Sequence, residues 1–146
     1  MTVITIKDGV LACDSGVFDG GVFVGTAEKA KRLGDGSIVA GAGPLSGLQS
    51  YLNYLGRNNG SEPDHLVQGT MLMRLTRSGA AQVRMSGEGR EWIAANAPFH
   101  AIGSGYRIAI GAMAAGASAE EAVRIACEHD EGCRGPVRIF KAGERP

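Results

Sequence analysis

The chain has 146 residues, enough for one domain with a sizeable core, and its 15 basic and 15 acidic residues cancel. That balance leaves no field to gather nucleic acid or an anionic membrane, and the longest apolar runs are too short to span a bilayer. Aromatic content of 5% and 23 glycines point to tight turns and close backbone approaches instead of a bulky aromatic core.

Thr2 to Lys7 alternates and is β-branched, which predicts a strand. Asp8-Gly9 is a hairpin turn signal, and Val10 to Asp14 is the return strand, ending at Ser15-Gly16. Asp19-Gly20-Gly21 marks another turn before a short strand from Gly21 to Gly25. Thr26 to Leu33 reads as extended, Gly34-Asp35-Gly36 as a turn, and Ser37 to Gly43 as a small-residue strand. Pro44 stands where a helix would start, and Leu45, Leu48, Leu52 and Leu55 repeat at helical spacing with Tyr51 beside them. Gly56 to Gly60 ends that helix, and residues 58–65 are polar and loop-like.

Thr70 to Thr76 predicts a strand with Met71, Met73 and Leu75 on one face, and Ala81 to Met85 pairs back after Ser78-Gly79. Glu91 to Ala97 reads as extended or irregular, with Trp92 packed inward. Phe99 to Gly105 leads into a helix whose close-packing face is Ala109, Ala112, Met113 and Gly116. Ser118 to Glu121 is a capping box, opening a helix that turns Ala122, Val123, Ile125 and Ala126 inward and runs to about Glu128. Gly135 to Lys141 is a last strand. Residues 1–146 carry no repeat, linker or low-complexity stretch, so one domain is expected. The class is α+β, with two antiparallel sheets able to pack face to face and helices outside.

The start of the chain lacks the basic and apolar regions of a signal peptide, so a cytoplasmic location is expected. Cys13, Cys127 and Cys133 make an odd set with no zinc spacing, which predicts reduced thiols, Cys13 among them buried.

One dipeptide carries chemistry. Thr2 follows Met1 directly, and its small side chain makes Met1 the kind that an aminopeptidase removes. Thr2 would then hold a hydroxyl and a free α-amine with a pKa of ~7.7–8.0, a nucleophile with its own base. Many chains begin Met-Thr with no such role, so the rest of the sequence has to weigh in.

Three stretches do so. They are Thr2-Val3-Ile4 with Val10 to Gly16, Glu28 to Leu33 with Ile38 to Gly43, and Ala101 to Gly105 with Ser118 to Ala122. In order and spacing they resemble the threonine peptidases of the proteasome β type, most closely the HslV type, within the N-terminal nucleophile hydrolases. The resemblance implies a four-layer αββα sandwich of two antiparallel sheets flanked by helices. It implies Thr2 as nucleophile, Lys29 close to its hydroxyl, and Asp14 as the carboxylate that keeps the lysine charged and oriented. Gly41 aligns with the glycine whose N–H stabilises the oxyanion, Ser104 with a serine beside the threonine amine, and Asp130 with an aspartate supporting that serine. Each has a plainer alternative: a solvated lysine, turn residues at Asp14 and Ser104, a small strand-end residue at Gly41, and competing polar neighbours around Asp130. Ala27, Lys31, Val39 and Gly43 line the specificity pocket by the same resemblance.

The resemblance implies a polypeptide substrate and a homo-oligomer, in the family a ring, with an AAA+ ATPase unfoldase as partner. The chemistry needs no cofactor, and a sodium or potassium ion near residue 130 would be structural. One departure stands out: residues 57–69 are too few for the second long helix of the family, so that helix is expected to be shortened or missing. Two other functions therefore compete with a threonine peptidase. One is a catalytically silent assembly subunit, and the other is a hydrolase of small amides using the same nucleophile.

Overall fold

The computed structural model describes residues 2–57, 66–89 and 91–144. The fold is mixed α+β: all strand pairs in its three sheets are antiparallel, and three helices occur among the described residues. β1 (Ile4–Lys7) and β2 (Val10–Cys13) form the first hairpin. Its turn residues Asp8 and Gly9 both take positive φ, 51° and 72°, as a tight two-residue hairpin requires. β3 (Gly16–Asp19) and β4 (Val22–Thr26) form a separate two-stranded sheet. β5 (Ala30–Arg32) and β6 (Ile38–Ala42) open a five-stranded sheet. After α1 (Leu45–Arg57), that sheet is completed by β7 (Met71–Leu75), β8 (Ala81–Met85) and β9 (Ile93–Ala95). β10 (Phe99–Ile102) then pairs with β1, α2 (Tyr106–Ala114) and α3 (Ala119–His129) follow, and β11 (Arg138–Lys141) pairs with β2. The four-stranded order is β10-β1-β2-β11.

Strand alternation sorts the side chains into three apolar clusters. Ile4, Ile6, Leu11 and Cys13 meet Ile38, Ala40, Met73 and Leu75, so the four-stranded and five-stranded sheets share one cluster. The opposite face of the four-stranded sheet, Val3 and Ala12, packs on Ala109, Met113, Ala122, Val123 and Ala126 of α2 and α3. The opposite face of the five-stranded sheet, Val39 and Leu72, packs on Leu48, Tyr51, Leu52 and Leu55 of α1, with Trp92 at the margin. Each fully buried leucine contributes roughly 1.5–3 kcal/mol through removal from water.

Two polar contacts tie the helical side to the first hairpin. Thr5 Oγ1 donates to the Ala119 carbonyl at 2.8 Å, at the head of α3. Lys7 Nζ donates to the carbonyls of Met113 and Ala117, at 3.3 and 2.8 Å, placing a cation at the C-terminal end of α2. The Ser118 side chain accepts from the Glu121 N–H, as an N-cap should.

Some elements differ from expectation. Gly16 to Asp19 is a strand of its own, where the residues read as a strand end at Ser15-Gly16 and a turn from Asp19. Of the stretch from Thr26 to Leu33, Thr26 ends β4 and Ala30–Arg32 forms β5, with the residues between them outside any strand. Phe99–Ile102 is the edge strand of the first sheet, and not merely a lead into a helix. Ile125 is half-buried and Gly116 is exposed beyond the end of α2. The expected loss of a second helix falls mostly on residues 58–65, outside the described residues. Among the described residues, no helix is long and apolar enough to cross a membrane.

Candidate active site

The site forms where the chain enters β1. The register that pairs Ile4 with Cys13 brings Val3 opposite Asp14. Their contacts are reciprocal: the Asp14 N–H donates to the Val3 carbonyl at 3.2 Å, and the Val3 N–H donates to Asp14 Oδ1 at 3.0 Å. Asp14 is fully buried. Its carboxylate also takes Lys29 Nζ, at 3.0 and 3.1 Å to the two oxygens, and the Arg134 N–H at 3.2 Å. Lys29 is itself only 3% exposed. It is therefore no solvated surface lysine but half of a buried ion pair. Such a pair persists only when its remaining hydrogen-bonding capacity is met, as the two backbone N–H groups do here for Asp14. Nor is Asp14 a local turn cap, because the Ser15 and Gly16 N–H groups donate to the Arg134 carbonyl instead.

Thr2, 5% exposed, stands beside this pair. Its nitrogen donates to Ser104 Oγ at 3.2 Å, and its carbonyl accepts from the Gly105 N–H at 3.1 Å and from the Ser104 hydroxyl at 3.4 Å. Ser104 lies in the link between β10 and α2. Gly103 there has φ +94°, and a Cβ on it would run into the Thr2 carbonyl. The backbone can approach Thr2 this closely only because residue 103 is glycine. Met1 lies outside the described residues.

Two cavities meet at Thr2. The larger, about 620 Å³, is walled by Ala42, Met71, Ala101 and Ile102 and reaches Ser104 and Tyr106. The smaller, about 170 Å³, is lined by Val17, Phe18, Lys29, Leu45 and Leu48. Thr2 and Gly43 line both.

Three expected placements need correction. Gly41 lies inside β6, its N–H donates to the Lys29 carbonyl at 3.0 Å, and it lines neither cavity. Its lack of a side chain makes room for Leu48 and Leu72. Gly43, two residues on and at φ +131°, is the glycine that faces Thr2 across the cavities. Asp130 does not reach Ser104: its Oδ1 accepts from the Gly132 N–H at 2.7 Å, closing its own turn after α3. Ser104 instead has Cys133 Sγ at 4.0 Å. Of the four expected pocket residues only Gly43 lines these cavities. Val39 is buried against α1, and Lys31 borders a different hollow beside Leu55 and Gly56.

Cys133 and the Arg134 backbone are the site groups that the sequence did not reveal, and Gly43 is expected there only as a pocket residue. Burial pushes the Cys133 thiol up to about 12, with the Asp14 and Asp130 carboxylates adding to it and the Ser104 hydrogen bond opposing. Burial, then Asp14, pushes Cys13 up to about 12 as well. Both are protonated thiols at neutral pH and not nucleophiles. The described residues hold no cluster of three or more His, Cys, Asp or Glu side chains that could bind a metal ion.

No protein-family model matches this chain, and no curated protein matches it. Solved structures do. Thiobacillus denitrificans BPH is 22% identical, with a TM-score of 0.72 over 97% of this chain and 98% of that one. Thiobacillus denitrificans BPH in complex with epoxomicin is 21% identical, with a TM-score of 0.71 over 99% of this chain and 100% of that one. At this identity the likeness is one of fold, and it extends over essentially the whole of both chains.

Proposed function

We propose that the chain is a threonine-type endopeptidase of the proteasome kind, with Thr2 as its nucleophile once Met1 is removed. The observation that carries this reading is the setting of Thr2. It is held between Ser104, at its nitrogen, and the buried Asp14–Lys29 pair, at the junction of two cavities. The fold neighbour solved with epoxomicin, a proteasome inhibitor, supports it. The three apolar clusters fit a four-layer αββα sandwich in a single domain, the architecture of N-terminal nucleophile hydrolases.

In this mechanism the Thr2 α-amine accepts the proton of the Thr2 hydroxyl as its oxygen attacks a peptide carbonyl. Lys29, oriented by Asp14, sets the electrostatics beside that oxygen. The Gly43 N–H, at the cavity junction, holds the developing oxyanion in place of Gly41. The tetrahedral intermediate collapses to an acyl ester on Thr2 and releases the amine product. Water then attacks the ester, with the same α-amine as base. A homo-oligomer and an ATPase partner that feeds it unfolded chains belong to this reading.

The test is the mature N-terminus with activity beside it. Intact mass and N-terminal sequencing of protein from its native host should show threonine first. Thr2→Ala should lower cleavage of fluorogenic peptides by a factor on the order of 10⁴ or more. Retained methionine with no cleavage would leave an assembly subunit, and turnover confined to small amides would point to an amidase.

A further inference from the structure

The two cavities at Thr2 differ in size and in polar lining, and that difference has a catalytic meaning. Resting on the peptidase reading above, we propose that the larger cavity receives the leaving-group side of the scissile bond and selects an uncharged, apolar residue there. The smaller one receives the acyl side.

The assignment follows from the route of one proton. A carbonyl attacked by Thr2 has two other substituents: the α-carbon of the acyl part and the amide nitrogen of the leaving part. With Thr2 and Gly43 shared by both cavities, the carbonyl lies at their junction, and its substituents point apart into them. When the intermediate collapses, the C–N bond breaks and its electron pair goes to nitrogen. That nitrogen must gain a proton, or it cannot leave. The proton is the one the Thr2 α-amine took from the Thr2 hydroxyl. The leaving nitrogen must therefore lie on the side of the α-amine. The Thr2 nitrogen sits on Ser104 Oγ at 3.2 Å, and Ser104 lines the larger cavity and not the smaller. Lys29 lines the smaller and not the larger.

The chemical class follows from the walls. Ala42, Met71, Ala101 and Ile102 are apolar, Tyr106 stands at the rim 41% exposed, and no charged side chain is among the described lining residues. A charged residue entering this space would lose water and find no partner. An apolar residue would lose only water.

Internally quenched peptides that share one acyl side and differ only in the first leaving-side residue test this directly. Leucine or phenylalanine there should give kcat/KM on the order of 10-fold or more above aspartate or lysine. Once the acyl ester has formed, leucinamide should intercept it better than aspartate amide at equal concentration, because the incoming amine enters through the same space. Tyr106→Arg should raise relative cleavage before aspartate, whereas Leu45→Arg should alter acyl-side preference and leave the leaving-side order unchanged. Cleavage indifferent to the leaving-side residue, or Tyr106→Arg acting on the acyl side, would overturn the assignment while the peptidase stands. If no peptide is cleaved, or Thr2→Ala cleaves as the unmodified chain does, the peptidase reading fails and this assignment with it.

Discussion

Thr2 has two flanks built on opposite principles. On one, a carboxylate and an ammonium are almost wholly buried, and Asp14 joins Val3, Lys29 and Arg134 in a single set of contacts of 3.0–3.2 Å. On the other, a neutral hydroxyl and a neutral thiol meet the chain through longer contacts of 3.2, 3.4 and 4.0 Å. Charges in a dry interior hold only as a complete set, because either partner alone faces the full desolvation cost. Neutral groups lose about 1 kcal/mol apiece and can be exchanged. The ionic flank should therefore behave as one unit and the neutral flank as separable parts.

The largest effect is expected on the ionic side. Asp14→Asn strands the Lys29 ammonium and should cost about 3–5 kcal/mol in denaturant unfolding, with loss of activity. Lys29→Met should cost a similar amount by stranding the carboxylate. The double variant should recover much of the stability and none of the catalysis. Single variants costing under about 1 kcal/mol would mean that the pair is not a unit. Next comes Gly103→Ala on the neutral side. Its φ of +94° and the Thr2 carbonyl in the path of a Cβ should together cost about 1–3 kcal/mol and displace Thr2. Gly116→Ala is the control: φ is +108° and nothing lies within 4 Å, so only the backbone strain should register. Ser104→Ala should cost only about 1 kcal/mol of stability and lower peptide cleavage roughly 10–100-fold, since it removes an orienting contact and not the nucleophile.

The same contrast explains what could be read from the residues. The alternation of Ile4, Ile6 and Leu11 and the leucine repeat of α1 mark core faces directly, because burial follows local period. Phe99 to Ile102 is a four-residue strand whose partner, β1, lies at the other end of the chain, so no local pattern marks it, and Gly16 to Asp19 is a four-residue strand that starts on a glycine and pairs only with the next strand across Gly20-Gly21. At the site, Thr2, Asp14, Lys29 and Ser104 are brought together, and each has a side chain whose chemistry narrows its roles. Gly41 and Gly43 sit two apart in a run of small residues, and only the β6 register tells which N–H is committed to Lys29. Asp130 and Cys133 share one turn, and the turn's closure decides which of them faces Ser104. Backbone groups such as the Arg134 N–H leave no trace in composition at all.

The smallest effects belong to the thiols, and they test the neutrality of the second flank. Cys133→Ala should cost about 1 kcal/mol and leave peptide cleavage within a few-fold, and Asp130→Asn should do less, since neither touches Thr2. The folded thiols should also resist iodoacetamide at pH 8, while all react once the chain is unfolded. The pH dependence has a definite sign. Cys13 and Cys133 ordinarily titrate at 9.0 and in the folded chain at about 12. Between those values the unfolded chain has given up protons that the folded chain still holds. Stability is therefore fully present below pH 9.0 and falls as pH rises toward about 12. Cys133→Ala should make that fall shallower in pH-dependent unfolding. An unchanged slope, or rapid alkylation of Cys133 in the folded chain, would mean that its thiol is not sealed, and the neutral flank would then lie open to water.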